Sequence, residues 1–195
     1  SLVYGQHVLV KGLSSTGVGA LGYSINGYSP SQIRFSFGDG NSSLSVTNVL
    51  SPPGSIATGK WHFIAIHADR DGDLRLLIDN IMAASADISD RTGDVAMPGS
   101  PFAIGTATRS FGATPHDGTF FDGRIDSLMF FKKADLSPHA NDIIAWAYNG
   151  GSGRLCAEIT DEQKAAWGAV SGWELGESSG RRYDSWGTNH LDEQF

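Results

Sequence analysis

Short runs of apolar or alternating residues recur along the chain, at His7 to Lys11, Ile33 to Phe37, Leu44 to Val49, Trp61 to His67 and Leu74 to Asp79, with clusters of Gly, Asn, Asp, Ser and Pro between them. A period of two is the mark of β-strands, because successive side chains leave opposite faces of the pleat. Many short strands at regular spacing predict an all-β protein built as a two-sheet antiparallel sandwich or a barrel. The turn chemistry agrees, since Gly38-Asp39-Gly40-Asn41 and Asp69-Arg70-Asp71-Gly72-Asp73 supply residues that tolerate positive φ between antiparallel strands. Trp61, Phe63 and Ala65 fall on one face of their run, and Ile64 and Ile66 on the other. A strand apolar on both sides belongs inside a sheet, so a core of Trp61, Phe63, Ile64, Ile78, Phe102, Ile104 and Ile125 is expected. Further strands are expected at Phe102 to Gly105 and over a long run from Phe120 to Phe131.

The period then changes. Ser137-Pro138 reads as a helix start, a hydroxyl N-cap with proline at the first helical position, and Ile143, Ile144, Trp146 and Ala147 form an apolar stripe that Asn149-Gly150-Gly151 ends. A second short helix is expected over Asp161 to Trp167, where Thr160 and Gln163 have capping-box spacing. Beyond Val170, Trp173, Leu175, Tyr183, Trp186 and Leu191 are too apolar for a solvated linker and are expected to pack.

Composition narrows the partners. A length of 195 residues and 40% hydrophobic content suit one domain with a substantial core. A formal net charge of -7 argues against nucleic acid, whose binding needs a surplus of Lys and Arg to displace counterions. Cys156 is the only cysteine, which excludes an internal disulfide and a cysteine-based zinc cluster. The start, Ser1 to Gln6, lacks the basic segment and apolar run of a signal peptide, and no apolar stretch is long enough for membrane insertion.

Ordered motifs then add a family. Lys60-Trp61-His62-Phe63-Ile64-Ala65, Leu76-Leu77-Ile78-Asp79-Asn80, Pro101-Phe102-Ala103-Ile104-Gly105 and Phe121-Asp122-Gly123-Arg124-Ile125-Asp126-Ser127-Leu128 follow one another, and Tyr148-Asn149-Gly150-Gly151 closes the helix. In this order they resemble the laminin-G-like, concanavalin-A-like lectin and glucanase jelly-roll family. The resemblance implies a jelly-roll sandwich with one or two short helices over residues 1–169. Two motifs stand out of the family's order: Trp173-Glu174-Leu175-Gly176-Glu177 and Asp184-Ser185-Trp186-Gly187-Thr188-Asn189-His190-Leu191 look like its opening segments but lie at the C-terminal end. Residues 170–195 are therefore expected to be either a permuted closure, with Trp173 to Leu175 beside Val8 to Val10, or the start of a second copy in a longer chain. A homo-oligomer with strand exchange from a neighbouring subunit is the other way to complete such a sheet.

Candidate chemistry is sparse. Glycosidases on this fold resemble one another in carrying paired carboxylates at even spacing on one strand, whereas Glu174 and Glu177 are three residues apart. Asp122 and Asp126 share a face of the expected strand, but Gly123 and Arg124 beside them suit a structural ion pair or turn cap better. No catalytic residue is assigned. Asp69, Asp71 and Asp73 offer alternate oxygens to Ca2+, with Asp122 and Asp126 as a second calcium candidate, and polar loop tips are the competing reading. Sugar binding needs exposed aromatics beside amides or carboxylates, which nominates Tyr23, Asn26 and Tyr28 in a Gly-rich loop, and Phe111, His116 and Asp117 in another, against ordinary packing at each. The expectation is a non-catalytic module binding a glycan or protein surface within a larger extracellular or virion surface protein. Its rivals are a structural assembly role, as in a phage or capsid decoration component, and a glycan hydrolase or lyase.

Overall fold

Ile104, Leu9, Ile25, Phe35 and Val49 stand side by side in one row across a five-stranded antiparallel sheet. The computed structural model describes residues 4–12, 21–40, 46–95, 100–107, 118–177 and 179–192. It divides into two units, Ser1–Gly123 and Arg124–Phe195.

The first unit contains β1 (His7–Gly12), β2 (Leu21–Ser29), β3 (Gln32–Asp39), β4 (Thr47–Leu50), β5 (Ile64–Ala68), β6 (Asp73–Ile78), β7 (Ile81–Asp87) and β8 (Phe102–Ile104). They form the sheets β4-β3-β2-β1-β8 and β5-β6-β7. Ile33, Phe35, Phe37 and Val49 are buried on one face of the first, while Leu74 and Leu76, on one face of β6, are fully buried. With β4 lying against β6 and β7, this is the antiparallel sandwich that alternation predicted. Ile78 is buried as expected, and Phe63, Ile64, Phe102 and Ile104 are half-buried.

A buried carboxylate secures the loop after β7. Asp39 accepts the Gly93 N–H at 2.9 Å through Oδ2, and its Oδ1 lies 3.8 Å from Arg91 Nη1, both side chains being buried. Arg70 donates to the Arg91 and Gly93 carbonyls at 2.6 and 2.7 Å, and its guanidinium lies over the Phe37 ring. The approach is so close that a Cβ on Gly93 would stand 2.1 Å from the Asp39 carbonyl oxygen.

Several expectations change. The stretch read as a Gly-rich loop is strand β2: Gly22, at φ +109°, lies where a Cβ would be 1.9 Å from the Lys11 carbonyl oxygen, so glycine there is a requirement of close strand approach. Strand β7, rich in alanine, gave no alternation to read. Trp61 is 64% exposed and precedes β5. Its neighbours explain this: Asp79 Oδ1 accepts the Phe63 N–H at 2.9 Å, its Oδ2 lies 2.8 Å from His62 Nδ1, and His62 Nε2 accepts the Ala57 N–H at 2.9 Å. The imidazole is turned toward the protein, and alternation sends the indole to solvent.

The second unit pairs β9 (Leu128–Phe131) with β10 (Ala169–Trp173) and carries α1 (Ser137–Tyr148) and α2 (Asp161–Trp167). The long strand expected from Phe120 is only β9, because Ser127 takes a positive φ of 48° and ends regular pairing; Ile125, expected in the core, is half-buried. The cap of α1 is Leu136, already in helical conformation and packed on the core, so Ser137 is a helical residue and no side-chain cap forms. Thr160 and Gln163 make the expected capping box on α2. No helix among the described residues is long and apolar enough to cross a membrane.

Ile143, Ile159 and Trp167 form this unit's buried cluster, with Phe131, Trp146 and Trp186 against it. Trp173 is buried, whereas Tyr183, expected to pack, is exposed. Trp186 Nε1 donates to the Cys156 carbonyl at 2.7 Å, and Trp173 Nε1 to the Asn189 carbonyl at 2.8 Å. Burial pushes the Cys156 thiol up to about 12. Strand β10 pairs with β9, and the two edges of β1 pair with β2 and β8. Asp184 closes the tail onto β10: Oδ1 accepts the Gly172 and Trp186 N–H groups at 3.0 and 2.9 Å, and Oδ2 the Asn189 N–H at 3.2 Å. Burial pushes its pKa upward, but these donors and the Ser171 hydroxyl outweigh it and hold the carboxyl below its ordinary value.

Two outcomes follow. Asp39→Ala removes the acceptor of the Gly93 N–H and a carboxylate beside the buried Arg91, which keeps Asp90 at 3.5 Å, and should cost about 1–3 kcal/mol in urea unfolding; a loss within experimental error would show that Asp39 contributes nothing to stability. Because its folded pKa is depressed, Asp184 contributes stability that is complete above about pH 4 and is lost as pH falls through the folded value. Asp184→Asn should flatten that acid limb, and an unaltered limb would assign it to other carboxylates.

Candidate functional site

On the face opposite the apolar row, β2, β3 and β4 carry polar side chains. Ser24 pairs with Ser36 and Ser36 with Asn48, and the Ser36 hydroxyl donates to Asn48 Oδ1 at 2.7 Å. One step along, Asn26 pairs with Arg34. Because side chains alternate, the residues that bury Ile25, Ile33 and Phe35 direct Asn26 and Arg34 to this other face.

A register shift between Gly27 and Ser29 marks the end of β2, and Tyr28 lies within it. The segment before β1 is drawn alongside by hydrogen bonds from Gly5 N–H to the Gly27 carbonyl at 3.1 Å and from Gly27 N–H to the Gln6 carbonyl at 2.8 Å. Tyr4 and Tyr28 therefore meet edge to face, with ring centroids 5.8 Å apart at 64°. The Arg34 guanidinium carbon lies 5.6 Å from the Tyr28 centroid and 5.9 Å from that of Tyr4. Beneath them Asn26, 1% exposed, receives a hydrogen bond from Arg34 Nε on its Oδ1 at 3.3 Å and donates from Nδ2 to the Gly27 carbonyl at 3.1 Å.

A buried amide thus orients a guanidinium, which in turn braces two aromatic rings. Tyr4 is 66% and Tyr28 40% exposed. Among the described residues nothing accepts a hydrogen bond from Arg34 Nη1 or Nη2. Exposed aromatic rings beside a planar donor are the chemistry that suits the apolar C–H face and polar rim of a sugar ring.

Of the residues nominated from sequence, Tyr28 is in this cluster and Asn26 supports it from below. Tyr23 pairs with Phe37 on the opposite face, where burial raises its phenol pKa. Phe111, His116 and Asp117 lie outside the described residues. Sequence reasoning missed Tyr4 and Arg34; the one signal for Arg34 was its position between Ile33 and Phe35 in an alternating run.

The acidic candidates lie in two separate places. Asp69, Asp71 and Asp73 form the tip between β5 and β6, where Asp69 Oδ1 accepts the Asp71 N–H at 3.2 Å and the Asp69 N–H donates to the Asp73 carbonyl at 3.1 Å. With His67 and Arg75, Asp69 and Asp73 line an open recess of about 400 Å³. Arg75 Nη2 lies 2.7 Å from His67 Nδ1, and burial followed by the Arg75 charge pushes the His67 pKa down, so this recess already holds a cation of its own. Asp122 and Asp126 are both exposed in backbone that is not strand, so the alternation that placed them on one face does not apply. No group of three or more His, Cys, Asp or Glu side chains among the described residues is gathered to hold a metal ion. Glu174 accepts from the Ala157 N–H and Ser127 hydroxyl, and Glu177 from the Tyr183 N–H.

Comparison with known proteins supplies one match. The laminin G family model described as the concanavalin A-like lectin/glucanases superfamily matches residues 2–139. Neither the comparison with curated proteins nor that with solved structures returns a match.

Because both rings are exposed, Tyr4→Ala and Tyr28→Ala should each lower stability by no more than about 1 kcal/mol. Thermal unfolding checks this, and a larger loss would make the pair a structural element of the sheet end.

Proposed function

The chain belongs to the concanavalin A-like lectin/glucanases superfamily, and on that premise we propose that it is a non-catalytic carbohydrate-binding module whose sugar face is Tyr4, Tyr28 and Arg34. Membership supports a carbohydrate- or protein-binding module in general terms. The observation that carries the finer reading is the guanidinium held against two exposed tyrosines by a buried asparagine. The non-catalytic reading draws support from Glu174 and Glu177, whose carboxylates accept backbone N–H groups of nearby loops. The setting we propose is a larger extracellular or virion surface protein, in which such a module meets glycans.

A protein surface is the second reading, favoured by one feature. Ile81 and Met82 are exposed at the start of β7, where they line a shallow depression with Pro52 and Ser55. Exposed apolar residues grouped in this way are characteristic of protein contacts.

A glycan array probed with the wild-type chain and with Tyr28→Ala separates the readings. We expect sugar binding that weakens at least about tenfold in the variant, or about 1.4 kcal/mol, and persists in Ile81→Asp. An array silent to the wild type, or binding indifferent to Tyr28, would sink the assignment.

A further inference from the structure

We propose that the Tyr4–Arg34–Tyr28 face selects a sugar bearing a carboxylate, such as a uronate or sialate, over a neutral one. The inference rests on the carbohydrate reading above and deepens it. Three observations carry it. Arg34 Nε is taken by Asn26 at 3.3 Å, so rotation of the guanidinium is restrained, while its Nη1 and Nη2 donors find no acceptor among the described residues. The two rings, in edge-to-face contact with each other, both lie against the guanidinium, whose carbon is 5.6 and 5.9 Å from their centroids. A planar donor pair fixed in this way fits the two oxygens of a carboxylate, and an ionised acceptor makes roughly twice as strong a hydrogen bond as a neutral hydroxyl.

The rest of the chain limits what the anion is. With a net charge of -7, the protein as a whole repels polyanions, and retention of a densely sulfated chain would need many cations in concert. A single guanidinium backed by aromatic stacking suits one carboxylate on an otherwise uncharged ring. The tyrosines then contact the C–H face while the arginine reads the acid, and sugar stacking and anion recognition come from different side chains.

That separation makes the proposal testable. Affinities of the wild-type chain would be measured by calorimetry for oligosaccharides carrying galacturonate, glucuronate or sialate, each beside the same oligosaccharide with its carboxyl reduced to a primary alcohol. The expected result is at least tenfold tighter binding of one acidic form than of its reduced partner, weakened by added salt. Arg34→Gln should abolish that preference, bringing the acid to the level of the alcohol, and Arg34→Lys, which keeps the charge but loses the fork, should restore only part of it. Equal affinity for acid and alcohol in the wild type would overturn the acid preference while leaving sugar binding intact, and that comparison needs no variant to fold. A preference undiminished in a folded Arg34→Gln would overturn the role of Arg34. Binding to neither form, with a silent glycan array, would overturn the carbohydrate reading and this inference together.

Discussion

The row formed by Ile104, Leu9, Ile25, Phe35 and Val49 constrains everything built on the larger sheet. Each strand contributes one apolar side chain to it, and a slip of one residue between β2 and β3 would carry Ile25 or Phe35 to the other face and a Ser, Asn or Arg into the core. The cost of that exchange fixes the register. The fixed register sets Asn26 beside Arg34, and the orientation of the guanidinium follows. The face proposed for binding is thus specified by residues on the other side of the sheet.

A second device recurs in both units: carboxylates that accept backbone N–H groups where the chain leaves a regular element. Asp39 receives Gly93, and Asp79 receives Phe63 in the first unit. Asp184 receives Gly172, Trp186 and Asn189, while Glu158 receives Leu155 and Glu177 receives Tyr183 in the second. A carboxylate has two oxygens and several lone pairs, so one side chain organises a loop that backbone pairing cannot. Part of the acidic surplus that argued against nucleic acid is therefore internal scaffolding.

Alternation made β1, β3, β5 and β6 legible, because Ile, Val, Leu and Phe at every second position leave few other interpretations. It failed at β2, where Gly22 and Gly27 imitate a loop although close strand contact demands the first of them, and at β7, where Met82, Ala83, Ala84 and Ala86 give no contrast between faces. Trp61 misled for a different reason: an indole is usually buried, but the hydrogen bonds of His62 and Asp79 claim the inward position next to it. At the site, Tyr28 was visible as an aromatic beside amides. Tyr4 was not, since the backbone bonds from Gly5 and Gly27 that bring it close join residues more than twenty positions apart. Such long-range pairings have no local signature.

Cys156 offers a practical consequence. It is the only sulfhydryl in the chain, is completely enclosed beside the Trp186 indole, and has a thiol pushed up to about 12. Fewer than about one such thiol in 10,000 is ionised near neutral pH, and only the ionised form attacks electrophiles. A cysteine introduced at an exposed position, such as Asp71 or Asp122, would react alone with maleimides or iodoacetamides. The chain is accordingly ready for one-site fluorophore attachment, or for oriented immobilisation on a sensor chip, without removal of its own cysteine.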